Sequence, residues 1–163
     1  VNGMQSLYGV AAQCIIRDAH PDFTSTRWTS RQGLPSAAVQ HHLAHASALA
    51  GEHGRKTPML VFAWDGLGLG PDGTLWGGET LAGSPGHWRR VGTFRPFRLV
   101  GGDRVAFEPW RSACSICWEL GIDWGRHRPE FTDMQRAWQD ASSTQRTSSV
   151  GRLFDAAAAL LGL

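Results

Sequence analysis

His41 and His45 stand four apart in an alanine-rich stretch, and they carry the side chains best suited to chemistry in this 163-residue sequence. On a helix that spacing stacks both imidazoles on one face, within reach of a single cation. Neutral ring nitrogens so placed can hold a transition metal; a solvated or packed pair fits the same spacing. His42 lies about 100° round that helix from His41. It reads as a support for the ligands, a substrate-facing catalytic group or a plain surface histidine. Asp65 closes an apolar run, at the strand end where open α/β sheets place their ligands. Two imidazoles and this carboxylate would supply three protein ligands and leave positions open for substrate or water, as catalysis requires.

Glycines surround these candidates. The run DGLGLGPDG at residues 65–73 contains Gly66, Gly68 and Gly70, a density that lets backbone N–H groups approach and cradle a phosphate. An ordinary tight turn has the same composition. Gly77 and Gly78 interrupt a strand-like segment, which signals another backbone or a ligand passing close by. Glu79, next to them, either orients a substrate amine or sits exposed on its strand. Gly101, Gly102 and Asp103 form a second glycine-acid turn with the same two readings. Cys114 and Cys117 make a CxxC, but no further thiolate or imidazole lies at zinc spacing and no redox context surrounds it. Packed cysteines are the expectation.

The elements that must position these groups follow from periodicity and punctuation. Residues 8–17 form an apolar run suited to a buried strand, which ends at the Pro21 segment. Residues 23–33 read as loop or short helix, and 36–40 as a second short strand. A helix is predicted over 41–53, stopped by Gly54 as a left-handed cap. Residues 57–65 suit a strand buried on both faces, ending at Asp65, with a glycine-rich turn over 66–73. Two strands over 74–83 and 87–97 join at Ser84, Pro85 and Gly86 as a hairpin. Residues 99–108 are loop-like. Helices follow over 110–120, closed by Gly121, and over 131–141, with Phe131, Met134, Ala137 and Trp138 on one side. Ser148 or Ser149 caps a last helix whose Leu153, Phe154, Ala157, Leu160 and Leu161 share a face. The stretch 142–149 is the softest point. The whole is one α/β domain over residues 1–163.

Composition narrows the function. With 42% hydrophobic and 18% charged residues the chain has enough apolar material for one core. The net charge of +2 and a single lysine, Lys56, give no duplex-binding stripe, so no nucleic-acid partner is expected. The eight tryptophans are scattered and suit core and rim packing rather than a base-stacking platform. No apolar run approaches the roughly 18 residues needed to span a bilayer, and three cysteines without a signal peptide suggest a cytoplasmic protein with reduced thiols and no membrane partner.

Several stretches taken together resemble the HypF family of NiFe-hydrogenase maturation carbamoyltransferases. VQHHLAH at residues 39–45 resembles the family's VQHHHAH, with Leu43 in place of the middle histidine. Residues 65–79, DGLGLGPDGTLWGGE, are similar to its DGTGxGxDGxxWGGE, and DAHPDF with Ser25 and Thr26 is similar to its DLHPDYxST. Gly101-Gly102-Asp103, Glu108-Pro109-Trp110-Arg111 and the SSVGRLFDA run at 148–156 match later blocks in order. The resemblance implies part of one lobe of an actin/Hsp70-like (ribonuclease H-like) carbamoyltransferase domain. It implies carbamoyl transfer from carbamoyl adenylate, made from carbamoyl phosphate and ATP, to the C-terminal cysteine of a HypE-like acceptor protein. It further implies a divalent metal (Fe, Zn or Mn) held by His41, His45 and Asp65, with the glycines after Asp65 against the adenylate phosphate. Family members carry acylphosphatase-like, zinc-finger and adenylate-forming domains upstream and a second lobe downstream. None is recognisable here, so the chain is expected to be inactive alone.

Three other readings stay open at this point. One is an O-carbamoyltransferase of small-molecule biosynthesis, another a non-catalytic metal-binding assembly module. The third is a folded lobe that forms a homo-oligomer to cover its apolar surface.

Overall fold

Two parallel strands joined through a short helix open the fold. In the computed structural model, which describes residues 2–140, 142 and 144–163, β1 (Ile15–Asp18) pairs with β2 (Ser36–Val39), Asp18 lying opposite Val39. Between them in the chain runs α2 (Thr24–Thr29), and before them α1 (Asn2–Tyr8). The strand expected over 8–17 is therefore corrected to four residues, and Tyr8 ends a helix instead. It is not a buried strand either, since Ile16 is largely exposed. Its apolar residues are too few to be covered from both sides.

β2 runs through Gln40 into α3 (His41–Glu52), and His53 and the left-handed Gly54 (φ 59°) end the helix as expected. The Gln40 side chain accepts the Leu43 N–H at 2.9 Å, which satisfies one of the helix's free first-turn donors. Ala46 and Ala50 are fully buried, and Ala46 packs with Leu43 against Val61, Ala63, Trp76 and Leu81 of the main sheet. Leu43 thus faces core, where a leucine is suited.

That sheet is built on β3 (Met59–Leu69) and β4 (Leu75–Gly83), antiparallel, with β5 (Arg89–Thr93) returning along β4 as the predicted hairpin, though the strand expected over 87–97 is cut to 89–93 and Phe97 opens a separate strand. β4 also pairs at Leu75 with Thr147 of β7 (Gln145–Thr147), which pairs in turn with β6 (Phe97–Leu99). Two expectations are corrected here. β3 is not buried on both faces: Val61 and Ala63 point to α3, whereas Leu60, Phe62 and Trp64 are exposed. Nor does it stop at Asp65. It continues to Leu69 across an irregularity between Trp64 and Gly68, so the first half of the expected glycine turn is strand.

Gly102–Ala106 form a short 3-10 turn, followed by α4 (Pro109–Glu119), α5 (Phe131–Gln139) and α6 (Val150–Leu161). α5 stops at Gln139; Ala141, the expected last residue of that helix, lies outside the described residues. Phe131, Met134, Ala137 and Trp138 pack with Cys114 and Trp118 of α4, as the amphipathic reading anticipates. Arg111, buried, bridges Glu108 and Glu130 at 2.8 Å each, which gives the Glu108–Arg111 block a structural role. In α6 the expected apolar face is corrected. Phe154, Leu160 and Leu161 are exposed, and the buried residues are Val150, Ala156 and Ala159. Ala156 and Ala159 meet Ala113 of α4, because small side chains let two helix backbones come close. Within 142–149, expected to be soft, Ser143 lies outside the described residues, whereas Thr147, Ser148 and Ser149 are buried and hydrogen-bonded. Among the described residues no helix is long and apolar enough to cross a membrane.

Candidate metal centre

The three expected donors converge. His41 Nε2 lies 2.7 Å from Asp65 Oδ2, His45 Nε2 lies 3.2 Å from His41 Nε2, and His45 Nε2 lies 3.6 Å from Asp65 Oδ2. Donors each about 2.1 Å from one ion stand roughly 3.0–3.4 Å apart, so the triangle needs only small adjustments to hold a cation. Two imidazoles and a carboxylate are a donor set that suits Fe, Zn or Mn, and affinity order alone does not select among them.

Each donor is placed by local structure. His41 and His45 stack because α3 begins at His41, one turn ahead of His45. Gln40 fixes that start twice over, by capping the helix and by donating from Nε2 to the Leu69 carbonyl of β3 at 3.1 Å. Asp65 sits where β3 departs from regular pairing with β4. Its own Oδ1 accepts the Gly66 N–H at 2.6 Å, which leaves Oδ2 turned to the imidazoles. Burial alone would raise the Asp65 carboxyl, but the Gly66 N–H and His41 outweigh it and hold it below the ordinary carboxylate range. It stays a ready anionic ligand.

The other expected site residues divide. His42 is corrected from a surface or substrate-facing group to a core residue: it is fully buried, and its Nδ1 accepts from Gln40 Nε2 at 3.2 Å. Burial first, and the neighbouring His41 second, lower its pKa, so it stays neutral. Glu79 is corrected likewise. It is fully buried rather than exposed, with Ser148 Oγ donating to its Oε1 and Arg90 Nη1 3.5 Å from its Oε2. Cys114 and Cys117 are buried free thiols, and burial pushes Cys114 up to about 11, far from a reactive thiolate.

The glycines are explained mainly by the chain's own close approaches. A Cβ on Gly68 would stand 2.5 Å from His42 Cε1 and 3.0 Å from His41 Cβ, so Gly68 is what lets α3 begin against β3. On Gly70 it would strike the Trp76 indole at 2.1 Å. Gly66 faces Gly151 of α6, whose own Cβ would meet Gly66 Cα at 2.9 Å. Of the two readings for Gly77 and Gly78, a close backbone or a ligand, the structure shows backbone: a Cβ would lie 2.6 Å from the Asp65 carbonyl and 2.3 Å from the Ser148 carbonyl respectively. Gly101 adopts φ 123° over Arg111 and Val105. Gly102 and Asp103 line a cleft of about 330 Å³ that also reaches Gly68, Leu69, His20 and Asp22. A smaller cleft of about 210 Å³ is lined by His45, Asp65, Trp64 and Phe62. The candidate centre therefore opens to space beside the metal donors.

Two residues that support the centre have no clear local signal in the sequence. Asp18 Oδ2 lies 2.8 Å from His41 Nδ1, on the ring edge opposite the donors. Ser149, the cap of α6, places Oγ 3.0 Å from the Asp65 carbonyl and so docks α6 beside the ligand. The repeated serines before an apolar helix mark a cap, but not which strand that cap reaches.

Comparisons with known proteins bear on this arrangement. Residues 1–52 match the family model for the HypF Kae1-like domain, and residues 61–163 match that for the carbamoyltransferase, Kae1-like domain, second subdomain. The chain is 41% identical to carbamoyltransferase HypF2 of Cupriavidus necator, covering 98% of this chain and 21% of that protein. It is 40% identical to carbamoyltransferase HypF of Rhizobium leguminosarum bv. viciae, over 97% of this chain and 22% of the relative. A HypF homologue of C. necator is 42% identical, over 93% of this chain and 41% of its own length. A crystal structure of full-length HypF in the phosphate- and nucleotide-bound form superposes with a TM-score of 0.85 at 27% identity, over 99% of this chain and 22% of that one. The chain thus spans about a fifth of the length of most of these proteins.

Proposed function

Since this chain belongs to the HypF family of carbamoyltransferases, we propose that it contributes the metal and phosphate side of a carbamoyl-transfer site. The convergence of His41, His45 and Asp65 carries this reading. The substrate is carbamoyl adenylate, formed from carbamoyl phosphate and ATP, and the acceptor is the C-terminal cysteine of a HypE-like protein. In the transfer, the acceptor thiolate attacks the carbamoyl carbon, a C–S bond forms, and the C–O bond to the phosphate breaks with AMP leaving. A divalent metal, when bound, supplies positive charge against the phosphate as negative charge grows there.

The chain's own residues do the rest of the work assigned to it. His41 and His45 turn ring nitrogens toward Asp65, whose carboxyl is held below the ordinary range by its Gly66 and His41 contacts. The cleft lined by Gly68, Gly102 and Asp103 offers a berth for the nucleotide portion. The nucleophile comes from the acceptor, because Cys114 and Cys117 are buried and protonated. Glu79, buried against Ser148, holds the approach to α6 rather than meeting the substrate.

Two measurements test the proposal. Metal analysis should find Fe, Zn or Mn bound to the wild type and its loss in His41→Ala, His45→Ala and Asp65→Ala. Carbamoylation of a HypE-like acceptor should then be assayed in the Rhizobium relative with this segment replacing its own. His45→Ala should lower turnover by at least about 100-fold, the scale of losing electrostatic stabilisation at a leaving group. Full turnover in a His45→Ala protein shown to lack metal would sink the reading. Supplying hydroxyl acceptors in place of the thiol separates it from O-carbamoyl transfer.

A further inference from the structure

The segment DAHPDFTST at residues 18–26 is not used by the donors themselves, yet the fold brings its first residue to them. Parallel pairing sets Asp18 opposite Val39, two residues before His41. The carboxylate is fixed from its own side as well: Oδ1 accepts the His20 N–H at 2.7 Å, and Thr26 Oγ1 donates to the His20 carbonyl at 2.7 Å, which ties the turn together. Oδ2 is left to meet His41 Nδ1 at 2.8 Å.

The two nitrogens of an imidazole point away from each other, and only one can face the donor triangle. His41 turns Nε2 to Asp65 and His45 and Nδ1 to Asp18. Asp18 therefore stands across the ring from the candidate ion and is no fourth ligand. We infer that Asp18 is the positioning residue of the metal centre: it accepts the Nδ1–H of His41, fixes the tautomer with Nε2 free, and aims that nitrogen at the cation. This inference rests on reading His41, His45 and Asp65 as a metal site. The physical logic is that of carboxylate–histidine–metal chains, in which an outer carboxylate orients the ring and raises its basicity as a ligand.

Asp18→Asn tests the assignment, because the amide oxygen still accepts the His20 N–H while the charge is lost. Zn2+ affinity is measured by competition with a chromophoric chelator. Nitrogen NMR of histidine-labelled, Zn2+-loaded protein reads which ring nitrogen of His41 is metal-bound and whether the other keeps a slowly exchanging proton. Thermal unfolding of the metal-free forms provides the folding control. The expected result is Zn2+ affinity about 10–100-fold weaker in Asp18→Asn, with rapid exchange of the Nδ1 proton and unchanged unfolding of the metal-free protein. Equal affinity with a persistent Nδ1 proton would overturn the role of Asp18 alone, as would an affinity loss matched by destabilisation of the metal-free form. A wild type that takes up no Zn2+ would overturn the metal reading together with this inference, and that outcome is separately recognisable.

Discussion

Asp72, at the turn between β3 and β4, shows what a single carboxylate does for the strands beneath the site. Its Oδ1 accepts the Thr74 N–H at 3.2 Å, the Thr74 hydroxyl at 2.7 Å and the Trp76 indole at 2.9 Å. Its Oδ2 pairs with Arg90 at 2.7 Å, and that guanidinium lies 4.3 Å over the Trp76 ring. Burial would raise this carboxyl, but the Thr74, Trp76 and Arg90 contacts bring it down from 3.8 to about 2. A carboxyl depressed on folding contributes stability that is full above its unfolded pKa and is lost as pH falls through its folded pKa. The side chain is 36% exposed, so solvent screening discounts the gain to about 1 kcal/mol. Asp72→Asn should therefore unfold at lower urea near pH 7, and the gap from wild type should close between pH 3.8 and about 2. A gap that persists unchanged at the acid end would contradict this origin. At this scale the sequence is legible where donors share a period. His41 and His45 announce themselves by helical spacing, and Asp65 by ending an apolar run. Asp18 does not, because its partner is 23 residues away and only the β1–β2 register joins them.

The elements are held at distances that only glycine permits, and this is where the sequence reading of 66–78 changes most. Glycines dense enough to suggest a phosphate cradle prove to be contact points between β3, β4, α3 and the start of α6. Gly78 is the sharpest case. An added Cβ would stand 2.3 Å from the Ser148 carbonyl and 2.9 Å from Phe94 Cδ2, and a backbone carbonyl cannot step aside as a flexible side chain can. Gly78→Ala should cost at least about 3 kcal/mol in denaturant unfolding, the upper range for overpacked interiors. Gly51 is the counter-case, near the end of α3 with nothing within 4 Å of a built Cβ and with an ordinary negative φ. Gly51→Ala should stabilise by about 0.5–1 kcal/mol through helix propensity alone. Destabilisation by Gly51→Ala, or tolerance of Gly78→Ala, would show that proximity is not what selects glycine here. Helices α3, α4 and α5 are legible because their apolar stripes, and the glycines after α3 and α4, are local signals. β7 and the buried alanines of α6 are not, since a three-residue strand carries no period and a partner helix decides which face is covered.

Across the whole molecule, the candidate metal donors come from two units that the chain builds separately. His41 and His45 belong to the β1–α2–β2–α3 segment, within the match to residues 1–52, and Asp65 belongs to the main sheet, within the match to residues 61–163. The apolar seam between them is modest: Leu43 and Ala46 of α3 lie against Val61, Ala63, Trp76 and Leu81, while Leu60, Phe62 and Trp64 on the opposite face of β3 are exposed. A cation held by His41, His45 and Asp65, as proposed above, would add a second clamp at the His41 end of that seam. Any ligand bound only by the folded form stabilises it by mass action, about 2.7 kcal/mol at a hundred times its Kd. In a domain of this size that corresponds to a rise of roughly 5–10 °C in Tm. Saturating Zn2+ should produce such a shift in the wild type and little or none in His45→Ala, read by calorimetry at matched protein concentration. An equal shift in both proteins would mean that the metal acts elsewhere on the chain. A shift that requires His45 would tie the docking of the two units to the same ion that the proposed chemistry requires.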